Sequence, residues 1–497
     1  MPFRIVFSTK QLSTMENENN FTRRDFIGAS AATAVGLTIL PNQVVSGLGH
    51  TPPSDKLNIA AIGVGGKGQV NLRNMKSENI VALCDIDWKY AAKTFEEYPS
   101  AKKYKDFRIM LAEMNKDIDA ILIATPDHTH AVCALASMQL GKHVYVQKPL
   151  THTVFESRVL LEASRKYKVV TQMGNEGHSS DNVADVCELI WSGAIGTIEH
   201  VDAFTDRPIW PQGLTRPTQG MWLPEGLNWD LFIGPAPMRP YHEAYHPWNW
   251  RGWWDFGTGA LGDMACHVLD VVFASLKLGH PTSVEASSSI FNNESAPNTS
   301  LLRYMFPERT IVGKTKMPEV QVTWYDGGLL PTRPEGLPDG IELGEGKNGV
   351  VFHGSKGKLV CGNYGNKFRL LPEEKFAKLV RPPKTVRRVG TSHEMDWVRA
   401  CKESPENRIM PASNFEYACP LNEMVVMGNL AVRMQGLRKK LMWDGANMNF
   451  TNLSDEDKIT VVNGITGTEP KKIEINAKQY AAELVKTNYR AGWDLKI

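Results

Sequence analysis

The sequence predicts an α/β protein whose first domain is a doubly wound parallel sheet. Three observations carry that: an apolar run entering a glycine-rich turn, a second apolar run closing on an aspartate, and continued alternation of apolar runs with helical stretches. With 497 residues the chain exceeds one ordinary core, so a second domain and appendages are expected.

Leu57-Asn58-Ile59-Ala60-Ala61-Ile62 reads as a short buried strand, and Gly63-Val64-Gly65-Gly66-Lys67-Gly68 follows it in the pattern GxGxxG. Gly63 permits the tight turn, Gly65 and Gly66 let backbone approach a pyrophosphate, and Gly68 lets the next helix pack closely on the strand. That helix, read from Gln69 to Met75, points free N–H groups, with Lys67 beside them, at the phosphates. A second strand, Ile80 to Cys84, ends in Asp85, twenty residues beyond Gly65. A carboxylate there accepts hydrogen bonds from ribose hydroxyls and repels a 2′-phosphate, which favours NAD over NADP. Asp87 competes for that role. The region is therefore read as a Rossmann domain.

A helix at Phe107 to Met114, a strand at Asp119 to Ala124, a helix at His130 to Leu140, a strand at His143 to Val146 and a helix after Pro149 complete the alternation. Ligands of such sheets lie at the carboxyl ends of the strands. Thr125, Pro126 and His128 fall at one such end and Gln147 and Lys148 at another, so they are expected, with His130, to line the cofactor. Asn175, at the end of the sixth strand, is a further cofactor candidate and His178 a substrate candidate.

Bulk properties exclude several classes. Lys and Arg total 56 against 54 Asp and Glu, a net charge of +2, which gives no electrostatic case for nucleic acid or an anionic membrane. The seven scattered cysteines contain no CxxC pair and read as small buried side chains. At the N-terminus, Thr22-Arg23-Arg24-Asp25-Phe26-Ile27 precedes a short, weakly apolar run from Gly28 to Leu40. Residues 1–54 therefore read as a twin-arginine export signal and linker, with Met15 as an alternative start. That implies the twin-arginine machinery as partner, a periplasmic location and no stable membrane span.

Taken together, Gly63 to Gly68, Asp85, Ala124-Thr125-Pro126-Asp127-His128-Thr129-His130, Gly141-Lys142-His143-Val144, Lys148-Pro149 and Gly262-Asp263-Met264-Ala265-Cys266-His267 resemble the glucose–fructose oxidoreductase / inositol dehydrogenase / rhizopine-catabolism (Gfo/Idh/MocA) family. The resemblance runs from about Leu57 to Arg433. It implies an NAD-binding domain over residues 55–175 and an α+β substrate and oligomerisation domain over 176–440. The second domain should hold a large, mostly antiparallel open sheet with helices on one face, which pairs subunits into a homo-oligomer. Residues 441–497 are left as a C-terminal extension. The resemblance also implies a catalytic set of Lys148, Asp263 and His267. One departure stands out: Gln147 replaces the family's usual glutamate and removes a negative charge beside the lysine.

The residues support the same chemistry. Oxidising a secondary alcohol needs a base for the hydroxyl proton while hydride leaves for nicotinamide. Asp263 and His267 are four apart on a helix, hence on one face, so the carboxylate either orients the imidazole or holds the lysine. His267 is assigned the hydroxyl proton and Lys148 polarises the same oxygen.

From Trp210 to Trp254 the chain holds seven of its thirteen tryptophans, broken by Pro, Gly and Asn, which predicts a long ordered loop. Trp248 and Arg251 are taken as sugar contacts there, and a packed aromatic anchor is the alternative for each tryptophan. His242 and His246 have helical spacing but no third ligand, so no metal is expected. The expected activity is hydride transfer from a secondary hydroxyl of a sugar or glycoside, with C3 one candidate ring position, to tightly bound NAD. Two alternatives stand beside it: a redox-neutral NAD-dependent glycosidase, whose known examples lack an aspartate equivalent to Asp263, and a non-catalytic sugar or NAD sensor.

Overall fold

In the computed structural model, residues 55–311, 316–465 and 467–497 are described. The export-signal expectation falls on residues 1–54 and lies outside them.

The first domain runs β1 (Asn58–Ile62), α1 (Lys67–Asn74), β2 (Asn79–Cys84), α2 (Ala92–Glu97), β3 (Lys102–Tyr104), α3 (Phe107–Met114), β4 (Ala120–Ile123), α4 (Asp127–Gln139), β5 (His143–Val146), α5 (Val154–Tyr167) and β6 (Thr171–Met173). All pairings are parallel, in the order β3-β2-β1-β4-β5-β6. Every residue of β4 is buried, as a parallel sheet covered on both faces requires. Thr153 and Glu156 form a reciprocal capping box that starts α5 just after the Lys148 loop. Strand order reverses between β1 and β4, so the loops leaving those strands diverge and open a crevice at their carboxyl ends.

The second domain adds α6 (Asp181–Trp191), β7 (Ile198–Phe204), α7 (Trp229–Ile233), α8 (Gly259–Val268), α9 (Asp270–Leu276), β8 (Ser283–Ser288), β9 (Ser300–Phe306), β10 (Arg309–Thr310), β11 (Lys316–Met317) and β12 (Val320–Tyr325). It continues through β13 (Gly349–Gly354), β14 (Gly357–Cys361), β15 (Arg369–Leu371), α10 (Glu373–Phe376), α11 (His393–Lys402), α12 (Phe415–Met434), β16 (Leu441–Asp444), β17 (Asn449–Phe450), β18 (Lys458–Asn463), β19 (Lys471–Asn476) and α13 (Ala477–Val485). Nine strands form one sheet, β15-β14-β13-β7-β12-β9-β8-β16-β17, antiparallel throughout except where β7 runs parallel to β12. One face packs on α8, α9 and α12 through Val201, Leu302, Val322, Leu261 and Val425. The opposite face carries a smaller apolar group of Phe204, Val351 and Val360, covered by Leu337 and Leu343 from the Pro- and Gly-rich 327–349 segment. Residues 327–348 of that segment contain no helix or strand, and Gly349 opens β13.

Two features depart from the sequence expectation. Helix α12 begins at Phe415, capped by Asn414, five residues before Pro420, although a proline by itself signals a helix's first turn. Burial of almost the whole helix offsets the one backbone bond that proline forfeits. Within 441–497, β16 and β17 extend the large sheet, β18 and β19 form a hairpin of their own, and α13 follows them. Among the described residues no single helix is long and apolar enough to cross a membrane.

Candidate active site

A cleft of about 730 Å³ opens at the carboxyl ends of β1, β4 and β5, between the two domains. Gly63, Gly65, Gly66, Lys67, Asp85, Thr125, Pro126, Gln147 and Lys148 line one side, and Trp210, Trp248, Trp250, Arg251, Asp263, His267 and Tyr364 the other.

The glycine turn shows why each glycine is needed. Gly63 sits at φ +79°, and a Cβ there would lie 2.6 Å from the Ala124 carbonyl oxygen. A Cβ on Gly68 would lie 2.0 Å from the Gly63 oxygen, so Gly68 serves helix–strand packing and does not reach the cleft. Gly65 lies under the ring of Tyr90, which would stand 2.2 Å from a Cβ. The open backbone edge of this turn, with Lys67 at the start of α1, fits a dinucleotide pyrophosphate.

Asp85 serves this turn directly. Its carboxylate accepts from Val64 N at 2.7 Å, Gly65 N at 3.0 Å and Asp87 N at 2.9 Å. Burial raises its pKa, and these N–H groups oppose the rise. The expected ribose ligand is thus also the tie that holds the glycine turn to β2. Asp87 binds the backbone N–H groups of Lys89 and Tyr90 and accepts from His246 Nε2 at 2.9 Å.

At the other end of the cleft, charge is dense. Asp263 Oδ1 accepts from Lys148 Nζ and from Arg251 Nη1, each at 2.8 Å, and Lys148 Nζ also donates to the Asp263 carbonyl at 3.0 Å. Burial alone would raise the Asp263 carboxyl, but Lys148 and Arg251 outweigh it and hold it well below the usual carboxylate range. Of the two roles open to Asp263, the geometry selects holding the lysine. Arg251 also packs its guanidinium over Trp250 at 4.5 Å and Trp248 at 5.0 Å.

His267 takes its orientation elsewhere. Its Nδ1 is hydrogen-bonded to the hydroxyl of Tyr364, and Nε2 has no partner among the described residues. Burial lowers its pKa to about 3, with the Lys148 charge adding to the effect, so the imidazole is neutral near pH 7. Tyr364 is the functional candidate that sequence reasoning missed. It sits at φ +54° in the turn after β14, and Gly177 makes room for it, since a Cβ there would lie 2.0 Å from the Tyr364 ring. The only signal in the chain is its place between Asn363 and Gly365 in a short Gly-flanked turn.

Gln147 donates to Asn71 Oδ1 at 2.8 Å, and Asn71 in turn donates to Glu394 at 2.8 Å and Glu176 at 3.0 Å. An amide suits that position, because a carboxylate has no hydrogen to give Asn71. Glu176 also pairs with Lys67 across the cleft at 2.7 Å.

Four expected contacts face the core and do not line the cleft. His128 is buried between the Phe232 and Phe256 carbonyls, at 2.8 and 3.1 Å, with its pKa pushed down to about 3 by burial. His130 bridges the Pro149 and Thr125 carbonyls, at 2.9 and 2.8 Å. Asn175 donates to Asp270 at 2.8 Å, and His178 contacts the same carboxylate at 2.9 Å while stacking on Tyr417. In each case a buried polar partner lies on the inner side of the loop, and satisfying it outweighs facing solvent. These side chains therefore hold the loops that carry the site.

The tryptophans divide as well. Trp229 and Trp253 join Phe232, Tyr245 and Phe256 in a buried cluster that anchors the segment. Trp248 is 50% exposed and turned to the cleft. His246 and His242 do not converge; His242 Nδ1 accepts from Ala244 N at 3.0 Å. One group with metal-ligand spacing does occur among the described residues: His200, Asp202 and His353, on β7 and β13. There Asp202 engages both imidazoles, at 2.8 and 2.9 Å.

The fold and cleft define a two-domain, dinucleotide-binding α/β protein with an acid–base site at the domain junction. Residues 57–175 match the family model for an oxidoreductase family with an NAD-binding Rossmann fold, and residues 181–308 match its C-terminal alpha/beta domain. The chain belongs, over these residues, to the Gfo/Idh/MocA oxidoreductase family, and its first domain binds NAD. It is 28% identical over 190 residues to levoglucosan dehydrogenase of Pseudarthrobacter phenanthrenivorans, covering 38% of this chain and 40% of that protein. It is 28% identical over 146 residues to inositol 2-dehydrogenase of Salmonella typhimurium, covering 28% and 43% of the two chains. Against the alpha-N-acetylgalactosaminidase of Shewanella oneidensis it is 26% identical over 213 residues, covering 37% and 46%. The chain thus spans less than half the length of these curated relatives. Among solved structures, the WlbA dehydrogenase of Bordetella pertussis, in complex with NADH and UDP-GlcNAcA, superposes with a TM-score of 0.52 at 16% identity over 76% of this chain and 97% of that one. At that identity the likeness is one of fold.

Proposed function

We propose that this protein is an NAD-dependent dehydrogenase that removes hydride from a secondary hydroxyl of a sugar or glycoside. The observation that carries the reading is the arrangement of Lys148, Asp263, Arg251 and neutral His267 in the same cleft as the glycine turn. When bound, NAD supplies the hydride acceptor. His267 Nε2 takes the hydroxyl proton, with Nδ1 held by Tyr364. A histidine whose pKa lies near 3 is a weak base, but it suffices here. As hydride departs, the hydroxyl becomes a protonated carbonyl, a far stronger acid than that imidazolium. Lys148, fixed by Asp263, donates to the same oxygen, and Trp248 offers a flat apolar face to the sugar ring.

A second reading has its own support in the similarity to the Shewanella alpha-N-acetylgalactosaminidase. In it the sugar is transiently oxidised, the aglycone is eliminated and the hydride returns. Asp263, absent from the known glycosidases of this type, favours net oxidation. A chromogenic glycoside separates the two. Our reading expects reduced nicotinamide without aglycone release; stoichiometric aglycone release without net reduction would establish the glycosidase. Dinucleotide and sugar binding with neither reaction would leave a sensor.

We also propose that Arg23-Arg24 directs export to the periplasm, where no free nicotinamide pool exists, so that NAD stays tightly bound. Replacing both arginines by lysine, Arg23→Lys with Arg24→Lys, should retain the protein in the cytoplasm. Unchanged periplasmic recovery would end this proposal.

A further inference from the structure

The C-terminal segment returns to the cofactor cleft. Trp493 lines it together with Asp106 and Phe107, at the end of β3 and the start of α3. This lies on the β2–β3 side of the glycine turn, where a doubly wound sheet receives the adenosine half of a dinucleotide. Lys148 and His267 occupy the β4–β5 side.

The segment that delivers Trp493 is tied down along its length. Tyr489 donates to Glu156 on α5 at 2.5 Å. Arg490 donates through Nη1 to Asp230 at 2.5 Å and through Nε to the Gly234 carbonyl at 3.1 Å, while its backbone N–H donates to Pro235 O at 2.9 Å. Gln139, at the end of α4, donates to the Lys496 carbonyl at 2.6 Å. Residues 489–496 therefore form a strap that joins α7 and the turn after it to two Rossmann helices. The indole itself is held by Phe107, at a centroid distance of 6.2 Å, and by the Arg108 guanidinium at 4.7 Å. Arg108 is in turn fixed to Asp106 at 2.6 Å. A half-buried indole held from several directions, yet opening on a cleft, suits a flat aromatic ligand better than a purely internal packing role.

We infer that Trp493 forms a wall of the adenine pocket and that the strap slows departure of the dinucleotide. The inference rests on the NAD reading of the cleft and needs no assumption about the sugar. Because every purine presents a π face, stacking on an indole adds affinity without competing for the polar groups that grip the pyrophosphate. Retention is then a property of the C-terminal segment, while the chemistry belongs to the domain junction.

The test uses the full chain and two probes, ADP-ribose and nicotinamide mononucleotide, which report separately on the two halves of the site. Trp493→Ala should weaken ADP-ribose roughly tenfold, about 1.4 kcal/mol, and speed NADH release to match. Nicotinamide mononucleotide binding should not change. Trp493→Phe should recover most of the affinity. Arg490→Ala, which frees the strap and leaves the indole intact, should also speed NADH release. Equal weakening of both probes by Trp493→Ala, or no change in either, would overturn the inference while leaving the NAD assignment intact. Wild-type protein that binds neither ADP-ribose nor NAD would overturn both.

Discussion

The two ends of the cleft are built from different materials. The end beside β4 and β5 concentrates charge: Lys148 and Arg251 share one oxygen of Asp263, with His267 close by. The end beside β2 and β3 adds aromatic walls, Phe107, Phe232 and Trp493, to the separate charged groups Asp85, Lys105 and Asp106. Charges held by fixed partners favour one arrangement of a reacting oxygen, and a small displacement there is costly. Flat apolar walls bind by area and tolerate small shifts. The contrast separates turning over a substrate from retaining a cofactor, and it can be broken at either end.

The largest effect is expected at the charged end. Lys148→Ala should lower hydride transfer by about 10²–10⁴-fold in single turnover, with ADP-ribose affinity unchanged. Equal loss of affinity would mean that the lysine holds cofactor and does not act on substrate.

Asp263→Asn leaves Lys148 and Arg251 facing each other without their shared carboxylate. Transfer should fall about a hundredfold, and denaturant stability should drop by about 3–5 kcal/mol, the usual cost of breaking a buried ion pair. Stability unchanged within error would contradict the geometry.

Tyr364→Phe removes the hydroxyl from His267 Nδ1. A roughly tenfold fall in the transfer rate is expected, accompanied by a shifted pH profile and intact NAD binding. A purely structural tyrosine would leave the pH profile in place.

A further effect appears in acid. His128 and His267 have folded pKa values near 3, lowered by burial, against about 6.5 when unfolded. The unfolded chain therefore binds protons that the folded chain does not as pH falls below about 6.5. The stability these groups contribute is complete above that pH and is lost progressively toward pH 3. Each histidine should add a slope of up to about 1.4 kcal/mol per pH unit, readable by denaturation at pH 6.5 and 4.5. A flat profile over that window would mean that neither imidazole is buried neutral.

Much of the first domain was legible because its signals are local. β4 is an unbroken apolar run, β1 and β5 are apolar after a polar first residue (Asn58, His143), and the glycine turn names its own neighbours. β3 was not legible: Lys102-Lys103-Tyr104 is a polar edge strand that becomes a strand only by pairing with β2. For the large sheet, its mostly antiparallel, open character was anticipated through the resemblance. The parallel pairing of β7 with β12 joins residues more than a hundred apart, which no local pattern records.

The candidate site divides on the same line. Lys148, Asp263 and His267 stood out because each sits in a recognisable motif, and Arg251 because it is a cation among tryptophans. Tyr364 reaches His267 only through the turn after β14. Conversely, His128, His130, Asn175 and His178 were read as contacts because polar residues at strand ends usually face the ligand. Here buried carbonyls and the Asp270 carboxylate draw them inward. Proximity to a strand end fixes where a loop lies but not which way its side chains turn.

The reaction we propose for the charged end of the cleft is transfer of a hydride from a sugar to bound NAD. It is tested most directly by an absorbance scan of the purified protein before and after a panel of glycosides, with no cofactor added. A new reduced-nicotinamide band is expected with at least one glycoside and should be lost in Lys148→Ala. A cofactor-loaded protein that releases aglycone from a glycoside while its nicotinamide band never changes would contradict it.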